Sequence, residues 1–92
     1  MPTQIEHNPA GSRFEAHVEG QLCVAEYRLA DGVMHMTHTF VPPAFEGRGI
    51  AAQLVRAALD FARSGGLRVN PACSYVHAYM QRHPDTLSLL QT

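Results

Sequence analysis

The chain has 92 residues, of which 46% are hydrophobic and 16% are charged, and its formal net charge is −1 at pH 7. This length predicts one domain with a modest core, and the composition is typical of globular proteins rather than disordered ones. The small net charge argues against a nucleic-acid-binding surface, and no apolar run approaches the roughly 20 residues that a membrane span needs.

The first residues of the sequence and the spacing of its cysteines predict a cytoplasmic protein that binds no metal. No basic-then-apolar signal segment opens the chain, which predicts a cytoplasmic location. The only cysteines, Cys23 and Cys73, are far apart in sequence. One disulfide remains open, but two reduced thiols are the more typical state in that compartment. Because the chain contains neither a CxxC nor an HExxH pattern, we predict no metal site. We expect no nucleic-acid partner and no membrane partner.

The first half of the chain predicts an arm followed by an antiparallel meander. Residues 1–10 are polar, contain two prolines and are expected to form a loosely held arm. Alternating side chains predict strands at Arg13–Val18, at 21–29 and at 33–41. The dipeptide Asp31-Gly32 is a hairpin signal between the last two strands. Strands at such short spacing are typical of an antiparallel sheet.

The third predicted strand carries a histidine on an apolar face. Strict alternation places Met34, Met36, His38 and Phe40 on one side of the strand. His38 is then either a core histidine with a hydrogen-bond partner or a functional group, and the sequence leaves both alternatives open.

The second half predicts a helix between two parallel strands. Polar side chains recur every three or four residues between 49 and 64, at Gln53, Arg56, Asp60 and Arg63. This spacing leaves a wide apolar helix face that packs on a sheet. Gly65-Gly66 ends the helix, a short strand follows at 67–70, and Ser74–Arg82 is a last helix. Residues 85–92 form a turn or a tail. We therefore predict a single α+β domain over residues 1–92.

The junction before the long helix has two interpretations. Gly47 and Gly49 flank Arg48 where backbone N–H groups of a helix start are unpaired, so a phosphate could approach them closely. The arginine could add a charge-assisted contact. Glycine-rich turns also serve merely as tight turns, and the phosphate-binding patterns GxxxxGK[ST] and GxGxxG are absent.

The stretch "VPPAFEGRGIAAQLV", residues 41–55, resembles the coenzyme A pyrophosphate loop of the GCN5-related N-acetyltransferases. The family motif Gln/Arg-x-x-Gly-x-Gly/Ala falls on residues 46–51, and Glu46 departs from it at the first position. The stretches "HTFVPPAFEGRGIA", "ALDFAR" and "VNPACSYVHAYMQRHP" extend the resemblance, over nearly the whole chain, to a short single-domain subgroup. The resemblance implies a minimal acetyltransferase fold: a meander, a βαβ-like unit and a C-terminal helix.

The resemblance also implies acetyl-CoA as cosubstrate and an N-acetyltransferase acting on an unknown amine, either a small molecule or a peptide or protein. The alternative is a CoA-binding module with little or no transfer activity, because the subgroup lacks acceptor-site elements of larger relatives. The implied cosubstrate-binding residues are Phe40, Val41, Glu46, Gly47, Arg48, Gly49, Ile50, Ala51, Asn70 and Tyr79.

Two residues are predicted to be catalytic. By chemistry alone Cys73 is more simply a small buried hydrophobe, but the resemblance implies that it faces the acetyl group. His38 is the candidate base, on a strand expected beside the one that leads to Cys73. Tyr75 or Tyr79 could protonate the leaving thiolate, or both could merely pack. Cys23 is expected to be structural. The other histidines are expected at solvated or loop positions: His7, His17, His35, His77 and His83.

Overall fold

The computed structural model describes residues 3–91, which form a five-stranded sheet with two α-helices. The sheet order is β1-β2-β3-β4-β5. The strands are β1 (Glu6–Asn8), β2 (Arg13–Val18), β3 (Gln21–Ala30), β4 (Val33–Phe40) and β5 (Arg68–Asn70). The helices are α1 (Ile50–Ser64) and α2 (Ser74–Arg82), with short 3-10 turns at Pro9–Gly11, Pro43–Phe45 and Pro84–Leu89.

The first four strands form the predicted antiparallel meander. Tight turns at Glu19-Gly20 and Asp31-Gly32 join β2 to β3 and β3 to β4. All four of these residues have positive φ, the conformation whose twist matches that of flanking antiparallel strands. The hairpin signal at Asp31-Gly32 therefore predicted the turn correctly.

The helix α1 connects β4 to the parallel strand β5 and supplies about a third of the buried core residues. Met34 lies opposite Val69 in the parallel ladder, and both side chains are fully buried. The apolar face of α1 packs on the β2–β4 side of the sheet, where its own fully or nearly fully buried residues are Ile50, Leu54, Val55, Ala58, Leu59 and Ala62. The predicted βαβ-like unit is confirmed.

A bulge in β4 breaks the alternation on which the prediction for His38 depended. Glu26 of β3 lies opposite His38, whereas the next residue, Tyr27, lies opposite Met36, so Thr37 is an extra residue in β4. A bulge reverses which side chains face each side of the sheet. Met36 is fully buried, but His38 is exposed. The prediction that His38 shares the apolar face is therefore wrong.

Part of the predicted N-terminal arm is a strand, and the predicted C-terminal turn is present as the 3-10 turn Pro84–Leu89. Within the expected arm, Glu6–Asn8 pairs with β2, and the ring of His7 stacks on Phe14 at 4.2 Å while its Nε2 lies 2.6 Å from the hydroxyl of Tyr27. Residues 1–2 of that arm lie outside the described residues. At the other end Leu90 bridges to Val69 beside β5, and Thr92 is again outside the described part.

Within residues 3–91, neither helix combines the length and the apolar character needed to cross a membrane.

Candidate functional site

The loop between β4 and α1 is anchored at its centre. Pro42 and Pro43 end the strand, because a proline lacks the N–H that would continue the ladder. The 3-10 turn Pro43–Phe45 then buries Phe45, which is 4% exposed. The anchored aromatic ring fixes where the glycine-containing segment leaves the sheet.

Two glycines give this segment an open backbone. Gly47 has φ +84° and Gly49 has φ +77°, and no atom lies within 4 Å of the position that a Cβ would occupy at either residue. Positive φ is strained for residues with a side chain. The absence of a Cβ leaves the neighbouring N–H groups accessible.

The first turn of α1 has unpaired donors. Gly49 caps the helix without any side-chain hydrogen bond, and the first helical bond runs from the N–H of Gln53 to the carbonyl of Gly49 at 3.1 Å. The N–H groups of Gly49, Ile50, Ala51 and Ala52 therefore lack partners within the helix. Together with the helix dipole, such groups attract an anion.

These donors border a cavity that follows the end of β4. Its volume is about 610 Å³, within the usual range for small-molecule sites. Of the predicted binding residues, the lining includes Phe40, Val41, Glu46, Gly47, Gly49, Ile50 and Ala51. It also includes residues that the sequence did not single out for binding, namely Thr39, Pro43, Phe45, Ala52 and Tyr75.

Arg48, although predicted to bind the cosubstrate, does not line this cavity. Its Nη1 pairs with Glu19 Oε2 at 2.8 Å, and its guanidinium lies over the ring of Phe45, 4.9 Å from the centroid. Both partners of the ion pair are more than half exposed, so the pair is weak and its partner can be exchanged.

Cys73 lies beside the residues at one end of the cavity. Its Sγ is 3.7 Å from Thr39 Oγ1, and its backbone N–H donates to Met36 at 2.9 Å. Thr39 and Tyr75 line the cavity, whereas Cys73, at the N-cap of α2, is not itself a lining residue. The thiol is half-buried, whereas Cys23 is fully buried among core residues.

The surroundings of the two thiols shift their pKa values in opposite directions. Burial alone would raise the pKa of Cys73, but hydrogen bonds from the Val76 N–H, Thr39 and the Tyr75 N–H outweigh it and lower the pKa. For Cys23, burial raises the pKa. At neutral pH the thiolate fraction is therefore larger at Cys73.

The two tyrosines of α2 have different environments. Tyr75 lines the cavity, and burial raises the pKa of its hydroxyl, which favours the protonated form. Tyr79 is buried, accepts a 2.8 Å hydrogen bond from Arg56 Nε and stacks on His83 at 3.9 Å. Tyr79, although predicted to bind the cosubstrate, does not line the cavity at the end of β4 and instead borders a second, smaller cavity with Arg56.

Two other predicted residues also lie outside the cavity lining. Asn70 Nδ2 is 3.0 Å from His35 Nδ1, in the last paired position of β4 and β5. His38 pairs across the sheet with Glu26, whereas its neighbour Thr39 is the residue that contacts Cys73. Because neighbouring strand residues project to opposite faces, the structure does not bring His38 to the thiol.

In the part of the chain that the structure describes, no group of three or more histidine, cysteine or acidic side chains could hold a metal ion.

Comparisons with known proteins agree with this architecture. The sequence profile of a family described as GCN5-related N-acetyl-transferase matches residues 13–89. Protein NATD1 of Gallus gallus is 33% identical over 87 residues, which cover 90% of this chain and 78% of that protein. Protein NATD1 of Homo sapiens is 32% identical, with 90% and 76% covered.

A solved structure shows the same arrangement of elements. The NMR solution structure of a GCN5-like protein from Staphylococcus aureus aligns with a TM-score of 0.77 at 20% identity, covering 97% of this chain and 88% of that one. This likeness confirms the predicted α+β fold. The family profile spans most of the sequence, and the chain therefore belongs to the GCN5-related N-acetyltransferase family.

Proposed function

We propose that this protein binds acetyl-CoA and transfers the acetyl group to an amine of a small molecule or a peptide, in the cytoplasm. The observation that carries the proposal is the uncapped start of α1, which opens through Gly47 and Gly49 onto a cavity of about 610 Å³ at the end of β4. A pyrophosphate is the kind of anion that such a helix start binds.

The residues around the cavity fit the other parts of CoA. The N–H groups from Gly49 to Ala52 would hold the pyrophosphate. Phe40 and Val41 at the end of β4 would lie along the pantetheine arm, in the manner of an added strand. The arm would then reach Thr39 and Tyr75, which line the cavity next to the thiol of Cys73.

Cys73 is the proposed transient acceptor of the acetyl group. Its thiolate would attack the thioester carbonyl, forming a new carbon–sulfur bond while the bond to the CoA sulfur breaks. The hydroxyl of Tyr75 would protonate the departing CoA thiolate and regain its proton from solvent. An amine would then attack the acetylated Cys73, releasing the amide, the Cys73 thiolate and one proton.

A CoA-binding module without transfer activity is the second candidate function. The observation that favours it is the outward position of His38, which leaves the predicted base away from the thiol. Release of free CoA from acetyl-CoA, measured with and without a panel of amines, separates the two. Amine-dependent release supports the transferase, whereas tight CoA binding without release supports the module.

Arg48→Ala is expected to weaken CoA binding only about two- to fivefold, the loss of a weak exposed charge contact. Glu19 already holds Arg48 outside the cavity lining, and the proposed contacts to phosphate come mainly from the backbone. Isothermal calorimetry with CoA measures the effect. A loss larger than that of Gly49→Val, in variants of equal stability, would show that the arginine side chain recognises the phosphates.

A further inference from the structure

The bulge in β4 decides which side chain meets the thiol of Cys73. Without the extra residue Thr37, alternation from Met36 would turn Thr39 to the outer face of the sheet. With it, Thr39 lies opposite the fully buried Ala25 and its hydroxyl reaches within 3.7 Å of Cys73 Sγ. Because of the bulge, Thr39 rather than His38 lies beside the sulfur of Cys73.

We propose that Thr39 is a positioning residue that holds the sulfur of Cys73 next to the cavity lining and stabilises its thiolate. Its Oγ1 lies 3.7 Å from the sulfur on the β4 side, and Cys73 is itself the N-cap residue of α2, at the positive end of the helix dipole. The significance of this role for catalysis rests on the proposed function, but the role itself concerns the protein without ligand.

The hydroxyl of Thr39 can form a hydrogen bond with Cys73 both as a thiol and as a thiolate. It accepts a hydrogen bond from the protonated thiol and donates one to the thiolate, since a hydroxyl is both donor and acceptor. The donated bond is the stronger of the two because its acceptor is charged. As a β-branched residue in a strand, Thr39 also has few rotamers, which fixes the direction of its Oγ1.

The groups that act on the sulfur are uncharged. They are the backbone N–H groups of Val76, Tyr75 and Thr39 and the hydroxyl of Thr39. The titratable side chains on the surrounding elements are Tyr75, His77, Tyr79 and Arg82 on α2, His35 and His38 on β4, and Arg68 on β5. At pH values below the pKa of the tyrosines, only the histidines among these side chains change charge. A shift in the pKa of Cys73 that persists when the histidines are substituted is therefore caused by Thr39 and not by them.

The test is the pH dependence of Cys73 alkylation by iodoacetamide, measured in the Cys23→Ala background so that one thiol reacts. Thr39→Val keeps the shape of the side chain and removes the hydroxyl. We expect it to raise the apparent pKa of Cys73, which lowers the thiolate fraction severalfold at pH values below the pKa. Thr39→Ser is expected to restore most of the effect.

Thr37→Val is the matched control, because Thr37 is exposed on the same strand and its hydroxyl contacts the Glu26 carbonyl at 3.4 Å, not the sulfur. It should leave the pKa of Cys73 unchanged. An unchanged pKa in Thr39→Val, or an equal rise in Thr37→Val, would overturn the proposal.

Two further measurements keep the test decisive. If Thr39→Val does not fold, as judged by circular dichroism, the parent protein is titrated instead; an alkylation pKa no lower than that of a free cysteine would contradict the proposed role. CoA binding is measured separately. Loss of the Thr39 effect with CoA binding intact refutes only this inference, whereas an intact Thr39 effect without CoA binding refutes only the proposed function.

Discussion

Gly49→Val is expected to weaken CoA binding at least about 30-fold, corresponding to ~2 kcal/mol. The substitution places a branched side chain in space that is now empty and in front of the first N–H groups of α1. More than one charge-assisted hydrogen bond to phosphate would be lost. Calorimetric titration of the folded variant with CoA measures the loss.

The matched control for this experiment is Gly32→Val. Gly32 has φ +76°, close to the +77° of Gly49, and it too has no atom within 4 Å of a Cβ position. Both substitutions carry a similar backbone strain of about 1–3 kcal/mol, but Gly32 lies in the β3–β4 turn. Gly32→Val should therefore lower the stability and leave the CoA affinity unchanged. If Gly49→Val binds CoA like the parent protein, the loop is only a turn.

Incubation with acetyl-CoA is expected to give a substoichiometric thioester at Cys73 and none at Cys23. The chain has no lysine, so an added acetyl group must sit on the N-terminal amine, a thiol, or a less stable oxygen or imidazole. Cys23 is fully buried, whereas Cys73 is half-buried beside the cavity lining. Peptide mass spectrometry before and after hydroxylamine treatment locates the label.

The pH dependence of this labelling has a definite sign. The thiolate is the nucleophile, so labelling rises as the pH increases through the pKa of Cys73. Because burial is outweighed by the N–H donors and Thr39, that pKa is lowered, and labelling should begin at a lower pH than for a free cysteine. Cys23→Ala and His38→Ala are both expected to leave the rate unchanged. Equal labelling of the two cysteines, or amine turnover preserved in Cys73→Ala without any thioester, would reject the covalent route.

The order of elements was predictable because its signals are local. Turn residues at Asp31-Gly32, the polar stripe of α1 and the glycines after it each depend on a few neighbouring residues. Gly47 and Gly49 were recognisable for the same reason, and both line the cavity; that they hold a phosphate stays a prediction.

The predictions that were wrong are those that depend on contacts between segments far apart in the sequence. No sequence signal marks the extra residue Thr37, because a bulge is a mismatch in register between two strands. Because of that one residue, Thr39 rather than His38 contacts Cys73. Part of the predicted arm forms β1, because the ring of His7 contacts Phe14 and Tyr27 on the strands β2 and β3.

The two tyrosines show the same limitation on a helix. Tyr75 and Tyr79 are one turn apart, and sequence spacing alone cannot distinguish them as cavity-lining residues. Arg56 on α1 binds the hydroxyl of Tyr79, and this cross-helix contact leaves Tyr75 as the one at the cavity. A candidate proton donor was thus recognisable by residue type but not by position.

The most direct test of the central claim, that the start of α1 binds CoA, is a titration of ¹⁵N-labelled protein with acetyl-CoA followed by amide NMR. We predict saturable shifts concentrated at the N–H groups of Gly47, Gly49, Ile50 and Ala51, with smaller shifts along the end of β4 and little change in β1. Saturable shifts that avoid this loop, or no shifts at millimolar acetyl-CoA, would contradict the account.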